Sequence, residues 1–154
     1  MLFRSGLMVE GRSMGIDYGE RRVGIALSDP LGIIASGLES INWQGKDNTR
    51  VLERIAEICA EYDVRRIILG LPRRTDGQVG TSELIVRDFA DSLRSKTGLE
   101  VLFADERYTT VLATRIMQEA NIKREKRRSV VDQIAAEIIL QSWLDQQRNN
   151  RHEW

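Results

Sequence analysis

Ile67-Ile68-Leu69 lies between two stretches of helical spacing, and that order leaves few folds open. A short, unbroken apolar run is what a strand buried on both faces needs. Upstream, Val51, Leu52, Ile55, Ile58, Cys59 and Tyr62 recur at helical intervals, with Asn48 or Thr49 as the cap. Downstream, Thr81–Ser95 is predicted helical with Ile85, Phe89 and Leu93 on one face, and Gly98 ends it. Leu99–Ala104 is a second buried strand. This β-α-β grammar requires a parallel core with helices packed on the sheet.

The chain ahead of it reads differently. Met8–Asp17 and Val23–Ser28 are strands joined by the short Tyr18–Arg22 link, which predicts a hairpin. Asp29-Pro30 marks a turn, and Ile33–Ile41 is a third strand weakened by Gly37. After the last strand come a helix over Thr109–Ala120, a basic connection over Asn121–Arg128 and a helix over Val130–Gln147. Five strands, antiparallel first and parallel later, give a mixed α/β sheet with helices on both faces. The 154 residues suffice for one domain over 1–154, with 1–13 an N-terminal extension and 148–154 a polar tail.

Charge and composition then exclude classes of function. Lys plus Arg equals Asp plus Glu at 23 each, so any polyanion must be met by a local patch. One cysteine, Cys59, makes no internal disulfide and reads as core filler in a reducing, cytoplasmic setting. No stretch has the length and apolarity of a membrane span, and Met1–Ser13 lacks a signal peptide's apolar centre. With His152 the one histidine, neither a zinc cage nor a Ser-His-Asp or Cys-His system can be assembled.

Three acids stand out by position. Asp17 closes the first strand, Glu106 follows the last, and Asp132 sits near the start of the final helix. In α/β sheets ligands collect outside the carboxyl ends of strands. Asp132 has two readings. Ser129-x-x-Asp132 fits a helix-capping box, but Asp132 also shares a helix face with Ala136, Ile139 and Trp143, where a carboxylate needs a partner or a metal. Asp17 alone reads equally as a turn-forming acid, and Glu106 as helix-entry charge. Three converging carboxylates would instead select Mg²⁺ or Mn²⁺, ions suited to hydrolysing phosphodiester bonds as a pair.

Four motifs then fall in register. They are Gly15-Ile16-Asp17-Tyr18-Gly19-Glu20-Arg21-Arg22-Val23-Gly24-Ile25-Ala26; Gly70-Leu71-Pro72 with Asp76-Gly77; Asp105-Glu106-Arg107-Tyr108-Thr109-Thr110; and Val131-Asp132-Gln133-Ile134-Ala135-Ala136 with Ile139-Leu140-Gln141. Together they resemble the YqgF family over residues 14–145. The resemblance implies an RNase H-like three-layer fold, shared with Holliday-junction resolvases of the RuvC type. Family members have been described as resolvases and are mostly regarded as nucleases maturing the 5′ end of pre-16S rRNA. Carried over, Asp17, Glu106 and Asp132 become the catalytic and metal-binding acids. The extension before Gly15 is longer than usual, and Arg73-Arg74-Thr75 replaces the more usual apolar-polar sequence.

The expected partner is nucleic acid: pre-16S rRNA, or branched DNA in the alternative. Ribosomal particles are a further partner, and a membrane is not. Lys126, Arg127 and Arg128 belong to a basic run beside Asp132, and Arg21 and Arg22 flank Asp17; Arg73 and Arg107 lie in loops after buried strands. For a base to stack on, Trp43 and Tyr108 are the candidates, with Tyr108 favoured by its motif. Nothing announces the dimer surface a resolvase needs, so a monomer or weak dimer is expected. A phosphate-binding or ribosome-assembly module without hydrolysis is the reading of another class.

Overall fold

The computed structural model describes residues 11–108 and 124–151, with the side chains of 108, 124–129 and 151 outside the description. The expected helix over Thr109–Ala120, the strand start at Met8 and His152 lie outside the described residues. In chain order the elements are β1 (Arg12–Tyr18), β2 (Arg22–Ser28), β3 (Ala35–Asn42), α1 (Thr49–Glu61), β4 (Val64–Leu71), α2 (Thr81–Thr97) and β5 (Glu100–Asp105). A 3₁₀ turn (Glu106–Tyr108) and α3 (Arg124–Arg151) follow. The sheet order is β3-β2-β1-β4-β5. β1 pairs antiparallel with β2 and parallel with β4, so the hairpin and the β-α-β half meet along β1.

Side chains alternate across the sheet with period two, and the two faces bury different helices. Met14, Ile16, Val23, Ile25, Ile67 and Leu69 form one core with Val51, Ile55 and Ile58 of α1 and Phe89 and Leu93 of α2. Ala26 and Ile68 point the other way, against Ala136, Ile139, Leu140 and Leu144 of α3. Cys59 is buried in the first core, and burial pushes its thiol up to about 11. That matches its reading as filler, because an inert thiol stays protonated.

α3 lies unusually close to the sheet because glycines face it. A Cβ on Gly24 would stand 2.0 Å from the Asp132 carbonyl oxygen, and one on Gly15 would stand 2.7 Å from the Ala136 carbonyl oxygen. Gly37, which the sequence marks as a weak point of β3, is another such place: its Cβ would meet Gln133 Cβ at 3.0 Å. The same strand then binds the helix through polar groups. Gly37 N–H donates to Glu137 Oε1 at 3.0 Å, and Ala35 N–H donates to Gln141 Oε1 at 2.8 Å.

Two elements differ from expectation. α3 begins at Arg124, not Val130. The basic run holds Lys, Arg and Glu, all good helix formers, and no turn residue to stop it. Ser129 and Asp132 are therefore interior to the helix, which removes the capping reading of Asp132. In α2 the buried stripe is Val86, Phe89, Ala90 and Leu93, whereas Ile85 is 53% exposed. The i, i+3, i+4, i+7 stripe starts one residue later and leaves Ile85 outside it.

Candidate active site

At one end of the sheet, β1, α3 and the turn after β5 bring the three acids to a single cavity of about 700 Å³. Asp17, Glu106 and Asp132 all line it, and so do Arg21, Arg22, Trp43, Pro72 and Ser82. Asp17 is next to last in β1, on the face that α3 covers, since it alternates with Gly15.

Register explains how the other acids reach it. Asp17 pairs with Gly24 across the hairpin, and the Asp132 backbone lies over Gly24. On the opposite side, β1 and β4 stay paired to Ile16↔Leu69, one residue before Asp17 and Gly70. Over Gly70, the Glu106 carboxyl carbon would stand 3.6 Å from a Cβ. Gly24 thus lets the helix backbone at Asp132 rest on the sheet beside Asp17, and Gly70, covered chiefly by Ile139 Cδ1 at 2.5 Å from such a Cβ, leaves the Glu106 carboxyl in van der Waals reach on the other side. β5 delivers Glu106 directly, because Asp105 ends the strand opposite Leu71 and Glu106 begins the 3₁₀ turn.

Asp132 is held by two donors. Arg22 Nε–H donates to its Oδ2 at 2.8 Å, and Ser40 Oγ–H donates to the same oxygen at 3.2 Å. The Asp132 side chain is 15% exposed, so this ion pair is shielded enough to fix the carboxylate's direction. Arg22 opens β2 and Ser40 lies in β3, so three elements converge on this one oxygen. Ser40 carries no signal in the sequence; only the β2–β3 register places it beside Gly24.

The donor set fits a hard divalent ion. It consists of carboxylates without sulfur or imidazole at one cavity. As placed, no three such acids are close enough to share one ion among the described residues.

The remaining expected cations divide. Arg21 is exposed at the cavity, next to Arg22. Arg73 lies within 3.8 Å of Glu83 Oε1 and 3.7 Å of Asp105 Oδ2. Glu83 is buried and also takes Arg87 Nε at 2.9 Å, so Arg73 helps neutralise a buried charge. Arg107 Nη2 donates to Asp105 Oδ2 at 2.7 Å, and its hydrogen bonds hold the Asp105 carboxyl below the usual range. Lys126, Arg127 and Arg128 sit in the first turns of α3, one to two turns before Asp132. Their side chains and that of Tyr108 lie outside the described residues.

Residues 11–146 match the RuvX family, described as Holliday junction resolvase. A protein of Acetivibrio thermocellus named "Putative pre-16S rRNA nuclease" is 48% identical over 135 residues, covering 87% of this chain and 95% of its own. One of the same name from Agathobacter rectalis is 45% identical over 141 residues, covering 91% and 99%. Among solved structures, Thermus thermophilus RuvC in complex with a Holliday junction substrate superposes with a TM-score of 0.55 at 13% identity. That match covers 90% of this chain and 97% of that one. At that identity the match establishes the fold: a RuvC-like, RNase H-like sheet.

Proposed function

The chain belongs to the RuvX family, the one its motifs resemble under the name YqgF, and from that membership we propose a nuclease that trims the 5′ end of pre-16S rRNA. The observation that carries the chemistry is the cavity lined by Asp17, Glu106 and Asp132 at the end of the sheet. Those acids would hold Mg²⁺ or Mn²⁺, which supplies a nucleophilic water and charge for the leaving oxygen.

The chain's own groups do the rest. Asp17 is fixed by the β1–β2 register. Arg22 and Ser40 orient Asp132. Arg21, exposed beside them, is the cation best placed for a phosphate of the bound strand. Lys126, Arg127 and Arg128, on the helix that carries Asp132, would add further phosphate contacts. The work place that suits this substrate is the cytoplasm, on ribosomal precursor particles.

Cleavage of branched DNA is the second reading, favoured by the family's description and by the RuvC-like fold. It needs two matched sites and hence a symmetric dimer. End-labelled leader RNA and a four-way DNA junction, given to one preparation with Mn²⁺ and then with EDTA, separate the two. The expected result is shortened RNA with Mn²⁺, intact RNA with EDTA and an intact junction. Symmetric nicking of the junction by a dimer, with the RNA untouched, establishes the second reading instead.

A further inference from the structure

Beside the acids, the cavity wall holds an aromatic plate that phosphodiester hydrolysis does not itself require. Tyr18 stacks on Phe89 with ring centroids 3.7 Å apart, and Trp43 stacks on Tyr18 at 5.3 Å with 25° between the planes. Phe89 is a core residue, 1% exposed. Trp43 is half-buried and lines the cavity with Asp17. The stack therefore runs from the core to the site and ends on an indole.

That indole is fixed to the turn that follows Asp17. Trp43 N–H donates to the Arg21 carbonyl at 2.9 Å, and Gln44 N–H donates to the same oxygen at 3.2 Å. Trp43 Nε1–H donates to the Gly19 carbonyl at 3.0 Å. Below it, Asn48 Nδ2–H donates to the Tyr18 hydroxyl at 3.2 Å. The loop itself turns through Gln44 and Gly45, at φ 66° and 77°. A Cβ on Gly45 would stand 2.5 Å from the Glu20 carbonyl oxygen, so the loop seats directly on the turn. With its one N–H spent on Gly19, Trp43 has only its apolar ring surface to offer a ligand.

A preorganised ring next to a phosphate-cutting site suits one ligand class. We propose that Trp43 is the stacking platform for an unpaired nucleobase flanking the scissile phosphate, so that the strand must be single-stranded where it is cut. A base can lie on a protein ring only when it has left its own helix stack. Tyr18 covers one face of the indole, and the incoming base extends the plate by one more ring. Recognition of this kind tolerates any base, because every base has a π-face. The inference rests on the nuclease reading of the same cavity.

Its test uses the full chain carrying Asp17→Asn, so that bound RNA is not consumed, and a fluorescein-labelled ten-nucleotide RNA. Affinity is measured for the single strand, for the same strand in a duplex, and for strands with one abasic nucleotide at each position in turn. One abasic position is expected to lose about tenfold in affinity. Trp43→Ala is expected to lose a similar factor on the single strand and little on the duplex, while Trp43→Phe keeps most of it. Combining Trp43→Ala with the sensitive abasic position should add no further loss, because both remove one contact. Should Trp43→Ala not fold, Trp43→Leu, which keeps an apolar side chain but no ring, takes its place in the same comparison. A flat abasic series with clear RNA binding overturns the Trp43 assignment and leaves the nuclease reading standing. Absence of binding to any RNA or DNA, by this variant and by the unsubstituted chain alike, overturns both.

Discussion

Asp17→Asn is expected to lower RNA cleavage about a thousandfold or more while the chain keeps its fold. Asp17 pairs with Gly24, on which the Asp132 backbone rests, and lines the cavity with Glu106 and Asp132. An amide there keeps the size and shape but loses the negative charge that a divalent ion requires. Metal stabilisation of a phosphoryl transition state contributes several kcal/mol, and each 1.36 kcal/mol is a factor of ten in rate. The fold should survive because Asp17 is next to last in β1 and the apolar core below it, Met14 and Ile16, is untouched. Circular dichroism and a melting curve check the fold, and a time course on leader RNA checks the rate. Wild-type cleavage by a well-folded Asp17→Asn protein removes Asp17 from the chemistry.

The largest loss of stability is expected from Gly24→Ala. Its Cβ would lie 2.0 Å from the Asp132 carbonyl oxygen and 2.5 Å from the carbonyl carbon, both backbone atoms of a long helix. Neither atom can rotate away, so α3 must lift from β2. Overpacking of this kind costs about 3 kcal/mol. In a chain of this size that lowers the melting temperature by about 6–12 °C. Gly37→Ala is the internal comparison. Its nearest neighbour is Gln133 Cβ at 3.0 Å, a contact that a few tenths of an ångström relieve. Thermal unfolding should rank Gly24→Ala well below Gly37→Ala. Equal melting temperatures would mean that the helix does not rest on the glycines as described. Because Asp132 rides on the displaced backbone, Gly24→Ala should also lose cleavage beyond what its stability explains.

These two substitutions mark what could be read from the residues and what could not. The alternation of Met14, Ile16, Ile25 and Leu27 and the apolar run at Ile67–Leu69 are local patterns, and each gave its strand. The positions of Asp17 and Glu106 at strand ends followed from the same patterns. The role of Gly24 and Gly70 did not, because a glycine's value here lies in what passes over it, and that depends on pairing between distant strands. Ser40 was hidden for the same reason. α3 starts earlier than the sequence predicts because a charge run looks like solvent-exposed connection, yet Lys, Arg and Glu continue a helix readily. Once α3 extends back to Arg124, Asp132 changes from a candidate cap to an interior residue tied to Arg22. Trp43 ranked below Tyr108 by motif, and the stack beneath it became visible only in three dimensions.

Cleavage as proposed requires the three acids to bind a divalent ion together. Calorimetric titration of Mn²⁺ into the full chain, without nucleic acid, tests it directly. The same titration is run on Asp17→Asn, Glu106→Gln and Asp132→Asn. Saturable binding by the wild type, weakened at least about tenfold in each variant, is the predicted result. Binding of equal strength in the wild type and all three folded variants would place the ion elsewhere and contradict the account.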